Sequence, residues 1–384
     1  MKQASERILT WLKGPIPLSV VLAFVVSAVF IVIAGYSPLT AYRAMIEGSL
    51  LTPLGVGNTL QRAVPLIGMA MATAIAFRSG VLNIGTEGQM VIGGLTGVLV
   101  ALFMPGPPAL VMVVALIAGF AGGALWGLVS AVLQFWPGVP ILISSLLLSY
   151  PARYFASWMT RFQLKDPDSS QVATNPIPEG TQVPPLVPRD SGLGQTLSET
   201  FGSRSFLTTV LTGANWGLVM VIVIVIAVAF MNKRTAFGYE LRVHGANPDF
   251  VRYGGVNSRR RVLQTMALSG GIAGLVGTLL VIGAPNTRFI DGALVGTNYA
   301  WTGLLVALLA LYRPGSVLIA GLFFAAITAG SGEMSRVLGM SPQIAAVVQG
   351  IMIILIAFQI AWPRFKSRRR DTSPVPADAA GGDS

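Results

Sequence analysis

What most constrains this chain is a succession of about ten apolar stretches, each near the roughly 20 residues a helix needs to cross the hydrocarbon core of a bilayer. They run over residues 17–36, 63–77, 81–104, 109–135, 139–161, 214–231, 263–284, 298–312, 315–330 and 343–362. Lipid offers no partner to a backbone N–H or C=O, so each stretch must be a helix that pairs its own backbone. The expected fold is therefore all-α and polytopic, with about ten transmembrane helices. Charged residues make up 11% of the chain and hydrophobic ones 53%, whereas a soluble domain carries about a quarter charged residues. The net charge of +11 would point to nucleic acid in a soluble protein. Here the Lys and Arg residues fall in short segments between apolar spans, so they report orientation in the membrane, and no nucleic-acid partner is expected.

Orientation follows from where those basic residues lie. With both termini cytoplasmic, Lys2, Arg7, Lys13, Arg78, Lys233, Arg234, Arg242, Arg252, Arg259, Arg260, Arg261, Arg313 and the run Arg364 to Arg370 share the cytoplasmic side; the opposite orientation puts this excess outside. The span 17–36 is too long for the apolar region of a signal peptide and is expected to be an uncleaved anchor. On this layout residues 1–370 form the transmembrane domain, residues 162–212 an external loop rich in Pro and Ser, and residues 232–262 a polar cytoplasmic loop. The tail 371–384, rich in Ala, Pro, Gly and Asp, is too polar to bury a core and is expected to be disordered. The chain has no Cys and a single His, His244, so neither a disulfide nor a Cys/His metal site is expected, and no cofactor is implied.

Residues 63–127 and 262–330 share an order: apolar span, polar Gly- and Asn-containing break, apolar span, Pro-Gly turn, apolar span. The breaks fall at 78–89 and 284–298, and one unit starts outside, the other inside, as in an inverted repeat. Transporters commonly place the solute route between such repeats, at interrupted helices. Two Gly-rich hydrophobic hairpins also look alike without any such relation. The spacings Gly93/Gly97 and Gly119/Gly123/Gly127 speak for close helix packing rather than for function.

The first break contains Asn83, Glu87 and Gln89. A carboxylate between long apolar stretches costs a few kcal/mol or more at bilayer depth, so it must have a partner or a pathway beside it. Asn83 and Glu87, four apart, share a helix face if the helix has begun. They either line a solute route or bridge helices, with Arg78 or Arg153 as the partner of Glu87. In the second break Asn298, Tyr299 and Trp301 take the matching place, where the rings either stack on a solute or sit at the membrane interface. In the cytoplasmic loop, Asn247 suits an N-cap, Pro248 the first helical position, Asp249 the positive helix end, and Gly254 a stop. A helix of about two turns needs an external support.

The run Gly245 to Asn257, followed by a basic cluster and by Ala267 to Gly277, resembles the coupling region of ABC importer permeases of the ribose, branched-chain amino acid and nucleoside group. With Gly80 to Gln89 it is most similar to the nucleoside branch, whose binding proteins are basic membrane lipoproteins. The resemblance spans about Val64 to Ile360; Ser149 stands where an Asn before Tyr150 is expected in the nucleoside branch. It implies a bacterial inner-membrane permease subunit, with Asn247, Pro248, Asp249, Phe250, Arg252, Tyr253 and Gly254 docking on a cytoplasmic ABC ATPase. Asn83, Glu87, Gln89, Asn298 and Trp301 are the candidates for the translocation path. The implied partners are that ATPase, a second permease subunit, an external substrate-binding lipoprotein and a small-molecule substrate. No GxxxxGK[ST] phosphate loop occurs, so the chain itself is not expected to be an enzyme. Ribose or a branched-chain amino acid is the alternative substrate, and a proton-coupled secondary transporter the alternative mechanism.

Overall fold

In the computed structural model, residues 15–202, 205–247, 254–283 and 287–355 are described. The helices, in chain order, are α1 (Pro15–Ile33), α2 (Pro38–Ile46), α3 (Pro53–Arg78), α4 (Thr86–Phe103), α5 (Pro108–Phe135), α6 (Ile141–Trp158), α7 (Gly192–Phe201) and α8 (Phe206–Gly213). They continue with α9 (Trp216–Arg234), α10 (Ala236–Ala246), α11 (Ser258–Ile282), α12 (Ala293–Gly296), α13 (Tyr299–Leu309), α14 (Pro314–Leu338) and α15 (Pro342–Leu355). Six of these, α3, α4, α5, α9, α11 and α14, are long and apolar enough to cross a membrane, and three apolar helices, Val21–Ile33, Ala293–Leu309 and Pro342–Leu355, are shorter. Among the described residues, extended pairing is limited to isolated bridges.

Several helix ends follow from local chemistry. Pro53 occupies the first turn of α3, where its missing N–H costs nothing, and the Thr52 hydroxyl accepts from the Gly55 N–H at 3.0 Å. Asn257 caps α11 by accepting from the Arg260 N–H at 3.0 Å. α3 thus begins ten residues before the apolar run at 63–77, because Asn58, Gln61 and Arg62 make its first half too polar to register as a span. α4 begins at Thr86 rather than at residue 81, and residues 81–85 are non-helical.

Residues 44–333 form one compact unit, centred on α3 and α11. The two helices touch through Gly68 against Val276, and the Ser269 hydroxyl donates to the Ala72 carbonyl at 2.7 Å. α11 also carries α4 and α5, and the contacts are backbone to backbone: a methyl group at Gly93 or Gly123 would run into Gly274. Thr278 seals this seam by donating to the carbonyls of Gly93 (3.0 Å) and Gly274 (3.1 Å). α3 in turn carries α13, where Gly303 lies on Met69 and Ala70, and α14, where Gly321 lies on Ile67. Each helix preceding a break therefore packs on the helices that follow the break in the other half.

The described residues of 15–43 and 334–355 form a second unit. In it the Ser27 hydroxyl donates to the Ala23 carbonyl at 2.6 Å and meets the Tyr42 hydroxyl at 2.9 Å, while the Phe24 and Tyr42 rings pack edge to face at 5.0 Å. The tail 371–384 lies outside the described residues.

The loop 162–212 carries more order than its composition suggests. It holds α7 and α8, and its first part runs beside the second break: Thr174 N–H bonds to Phe289 O at 3.0 Å, Ile177 N–H to Thr287 O at 2.7 Å, and Asp291 N–H to Val172 O at 2.9 Å. In the loop 232–262, most of the first half is α10, opened by Thr235, whose hydroxyl accepts from the Gly238 N–H at 3.1 Å.

Candidate functional site

α3 ends at Arg78, and Gly80, at φ +78°, turns the chain back so that residues 81–85 re-enter the bundle. That conformation suits glycine. Asn83 organises the segment. Its Oδ1 accepts from the Gly85 N–H (3.1 Å) and from Gln89 Nε2 (3.1 Å), while its Nδ2 donates to Gln89 Oε1 and to Ser269 Oγ, both at 2.9 Å. Asn83, Gln89 and Ser269 are all fully or almost fully buried. Every polar group of the Asn83 amide is matched, as a buried amide requires. Two of the residues named from sequence as path candidates, Asn83 and Gln89, thus face each other inside the fold.

Glu87 follows in the first turn of α4, where the helix dipole favours a negative charge. It is 4% exposed. Arg153 of α6 forms an ion pair with its Oε1, and Trp301 of α13 donates its indole N–H to Oε2 at 3.0 Å. The Arg153 guanidinium also lies over the Tyr150 ring, 5.4 Å from its centre. Of the two partners expected for Glu87, the structure selects Arg153. It adds Trp301, for which stacking and interface roles were the expectations, as a hydrogen-bond donor. Because Trp301 is 43% exposed and Tyr150 51%, this bridge sits just beneath an accessible face of the chain, unlike the sealed Asn83–Gln89 pair. Asn298, also exposed, takes a left-handed conformation (φ 54°) at the start of α13 without a side-chain capping bond.

At the other end of the first break, His244 of α10 is buried between two helices. Its Nδ1 lies 2.8 Å from the Ser79 carbonyl, which can only accept, so Nδ1 carries the proton; its Nε2 lies 2.7 Å from the Ser258 hydroxyl. Gly245 packs against the backbone of Arg78 to Gly80, an approach that leaves no room for a side chain. Arg261 of α11 pairs with Glu240 of α10, donates to Gln264 Oε1 at 2.8 Å and stacks 5.4 Å from the Phe237 ring centre. α10 is therefore fastened to both the end of α3 and the start of α11. Of the expected docking residues, Asn247 ends α10 in an extended conformation and Gly254 lies in a turn; Pro248, Asp249, Phe250, Arg252 and Tyr253 lie outside the described residues.

Sequence reasoning passed over Gln61, Arg62 and Asn215, which with Tyr299 line a cavity near the start of α3. The Thr-Pro pair at 52–53, a cap and a first-turn proline, was the signal that the helix begins early enough to include the first two.

Comparison with known proteins agrees with this architecture. Residues 55–357 match the family described as branched-chain amino acid transport system / permease component. The Nucleoside ABC transporter permease protein NupB of Lactococcus lactis is 27% identical over 88% of this chain and 89% of its own. The Guanosine ABC transporter permease protein NupP of Bacillus subtilis is 27% identical over 90% of this chain and 92% of its own. A glucose ABC transporter permease protein of Haloferax volcanii is likewise 27% identical, over 97% of this chain and 95% of its own.

Proposed function

This chain belongs to the family of branched-chain amino acid transport system permease components, and from that premise we propose that it is the membrane-spanning subunit of an ATP-driven importer for nucleosides. A separate cytoplasmic ATPase supplies the hydrolysis, an external substrate-binding lipoprotein delivers the solute, and a second permease subunit completes the path. The chain resides in the bacterial inner membrane with both termini cytoplasmic. Arg242 and Arg313 each lie close enough to Arg78 to repel it at one end of the bundle, which supports that end as the cytoplasmic one.

One observation carries the reading: the first break is held at both ends by elements that must move in an importer. At its start, Ser79 is bonded to His244 on the helix that leads into the docking segment 247–254. At its end, Glu87 is bonded to Trp301 in the second repeat and to Arg153. Displacement of the loop by the ATPase is passed through Ser79 to α4, and the Glu87 bridge then couples the two repeats as access alternates between the two sides. Glu87, Trp301 and Asn298 lie toward the path, whereas Asn83 and Gln89 hold the broken segment in shape.

The test is reconstitution of the chain with its permease partner and ATPase in vesicles, with the binding lipoprotein outside. Uptake of guanosine that needs ATP and the lipoprotein is the expected result. Uptake by this chain alone, indifferent to ATP and abolished by a protonophore, would establish a secondary transporter instead. Phe250→Asp is expected to abolish copurification with the ATPase; normal assembly and uptake in that variant would remove the docking assignment.

A further inference from the structure

A cavity of about 290 Å³ lies between the first half of α3, the end of α11 and the start of α13. That is the small end of the range for ligand sites, about 300 to 1,000 Å³, and suits one sugar or nucleoside. Its wall carries Asn58, Gln61, Arg62, Asn215, Thr297 and Tyr299, with no carboxylate, and its floor is apolar, including Pro65 and Leu279. Arg62 meets the Tyr299 hydroxyl, and among the described residues no ion pair is formed to it. The Asn215 Oδ1 is buried without a hydrogen-bond partner. The Arg62 guanidinium is costly to leave so, because within a membrane-crossing helix it calls for acceptors, whereas the Asn215 oxygen is closed off from the cavity.

Resting on the nucleoside-importer reading, we infer that this cavity is a solute site belonging to the permease itself, shaped for the base of a 6-oxopurine nucleoside. The guanidinium presents parallel N–H groups that match two adjacent acceptors, the pairing that O6 and N7 of guanine offer. The apolar floor takes the ring face. A small hydrated anion would satisfy Arg62 but leave the apolar floor unused. Tyr299 and Trp301 share α13, so an occupant touching Tyr299 bears on the helix that holds Glu87.

The chain has no cysteine, which allows a direct test with Thr297→Cys in the complex assembled with its permease partner and ATPase, without ATP. Guanosine is expected to protect this cysteine from an impermeant maleimide, with adenosine, glucose and inorganic phosphate at least tenfold weaker. Adding Arg62→Ala is expected to raise the half-protecting guanosine concentration at least tenfold while the labelling rate without solute is unchanged. Should that variant fail to assemble, Arg62→Lys, which keeps the charge and loses the fork, carries the same expectation. Equal protection by phosphate, or wild-type protection after either Arg62 substitution, overturns the site. So does no protection in vesicles that import guanosine with ATP and the lipoprotein, a result that leaves the importer reading standing. Vesicles that import no nucleoside and show no protection overturn both.

Discussion

The two breaks in the bundle solve one problem in different ways. In the first, residues 79–85 turn back into the protein, and side chains hold them: Asn83 and Gln89 bond to each other, and Asn83 reaches Ser269 across the bundle. In the second, residues 287–298 are held by a strap, residues 161–183, through backbone bonds at Thr174, Ile177 and Asp291 and through the ion pairs Arg161–Asp291 and Arg288–Asp166. A buried side-chain network is fully matched or it fails, because each stranded partner bears its whole desolvation cost. A strap spreads the load over several separate backbone bonds and two partly exposed ion pairs, so the loss of one leaves the others in place. The first break should therefore be brittle and the second tolerant.

The largest expected effect tests the brittle side. Asn83→Leu strands both ends of the Gln89 amide and the Gly85 N–H at about 1 to 3 kcal/mol per group, while Ser269 keeps its bond to Ala72, so folded protein should be largely lost, measured as membrane expression and thermal unfolding in detergent. A variant that expresses and melts like wild type would remove the claim that the network shapes the break. Next in size is Glu87. Glu87→Gln keeps an acceptor for Trp301 and should retain substantial uptake, whereas Glu87→Leu leaves Arg153 and Trp301 without it and should lose folding or uptake. Loss of uptake in the Gln variant with expression intact would instead make ionisation essential. Smallest is the strap: Asp291→Asn weakens a pair whose Arg161 side chain is 53% exposed, and exposed pairs contribute only about 0 to 1 kcal/mol. A melting shift as large as that of Asn83→Leu would erase the difference between the two breaks. Cysteines at Ser170 and Lys233 should label from opposite sides of the membrane; labelling of both by an impermeant reagent from one side would undo the placement of strap and coupling loop.

How much of this was legible in the sequence depends on the range of the contact. The polytopic helical fold follows from apolar length alone, and the close seams at Gly93 and Gly123 follow from small residues spaced four apart. Glu87 stood out because a carboxylate is costly between apolar spans. Its partners did not. Arg153 was one of two cations weighed, and the indole N–H of Trp301 lies 214 residues away, a distance no periodicity reports. Helix α10 escaped notice because its stretch, with Gly238 and Gly245 in it, reads as part of the polar loop 232–262. In the structure they are where α10 presses against Met231 and Asn232 and against the backbone of Arg78 to Gly80. The first half of α3 was hidden for a similar reason: Asn58, Gln61 and Arg62 line a cavity, so that half lacks the apolar signature of a span.

The central claim, that the two repeats are joined through the Glu87–Trp301 bond, is tested most directly by a double-mutant cycle read in ATP-dependent guanosine uptake. Trp301→Phe removes the indole donor and keeps the ring, and Glu87→Ala removes the acceptor. If the two act as one link, Trp301→Phe should slow uptake in the wild-type background and change it little once Glu87 is Ala, a coupling of about 0.5 to 3 kcal/mol. Losses that simply add would show that the residues act independently and would contradict the account.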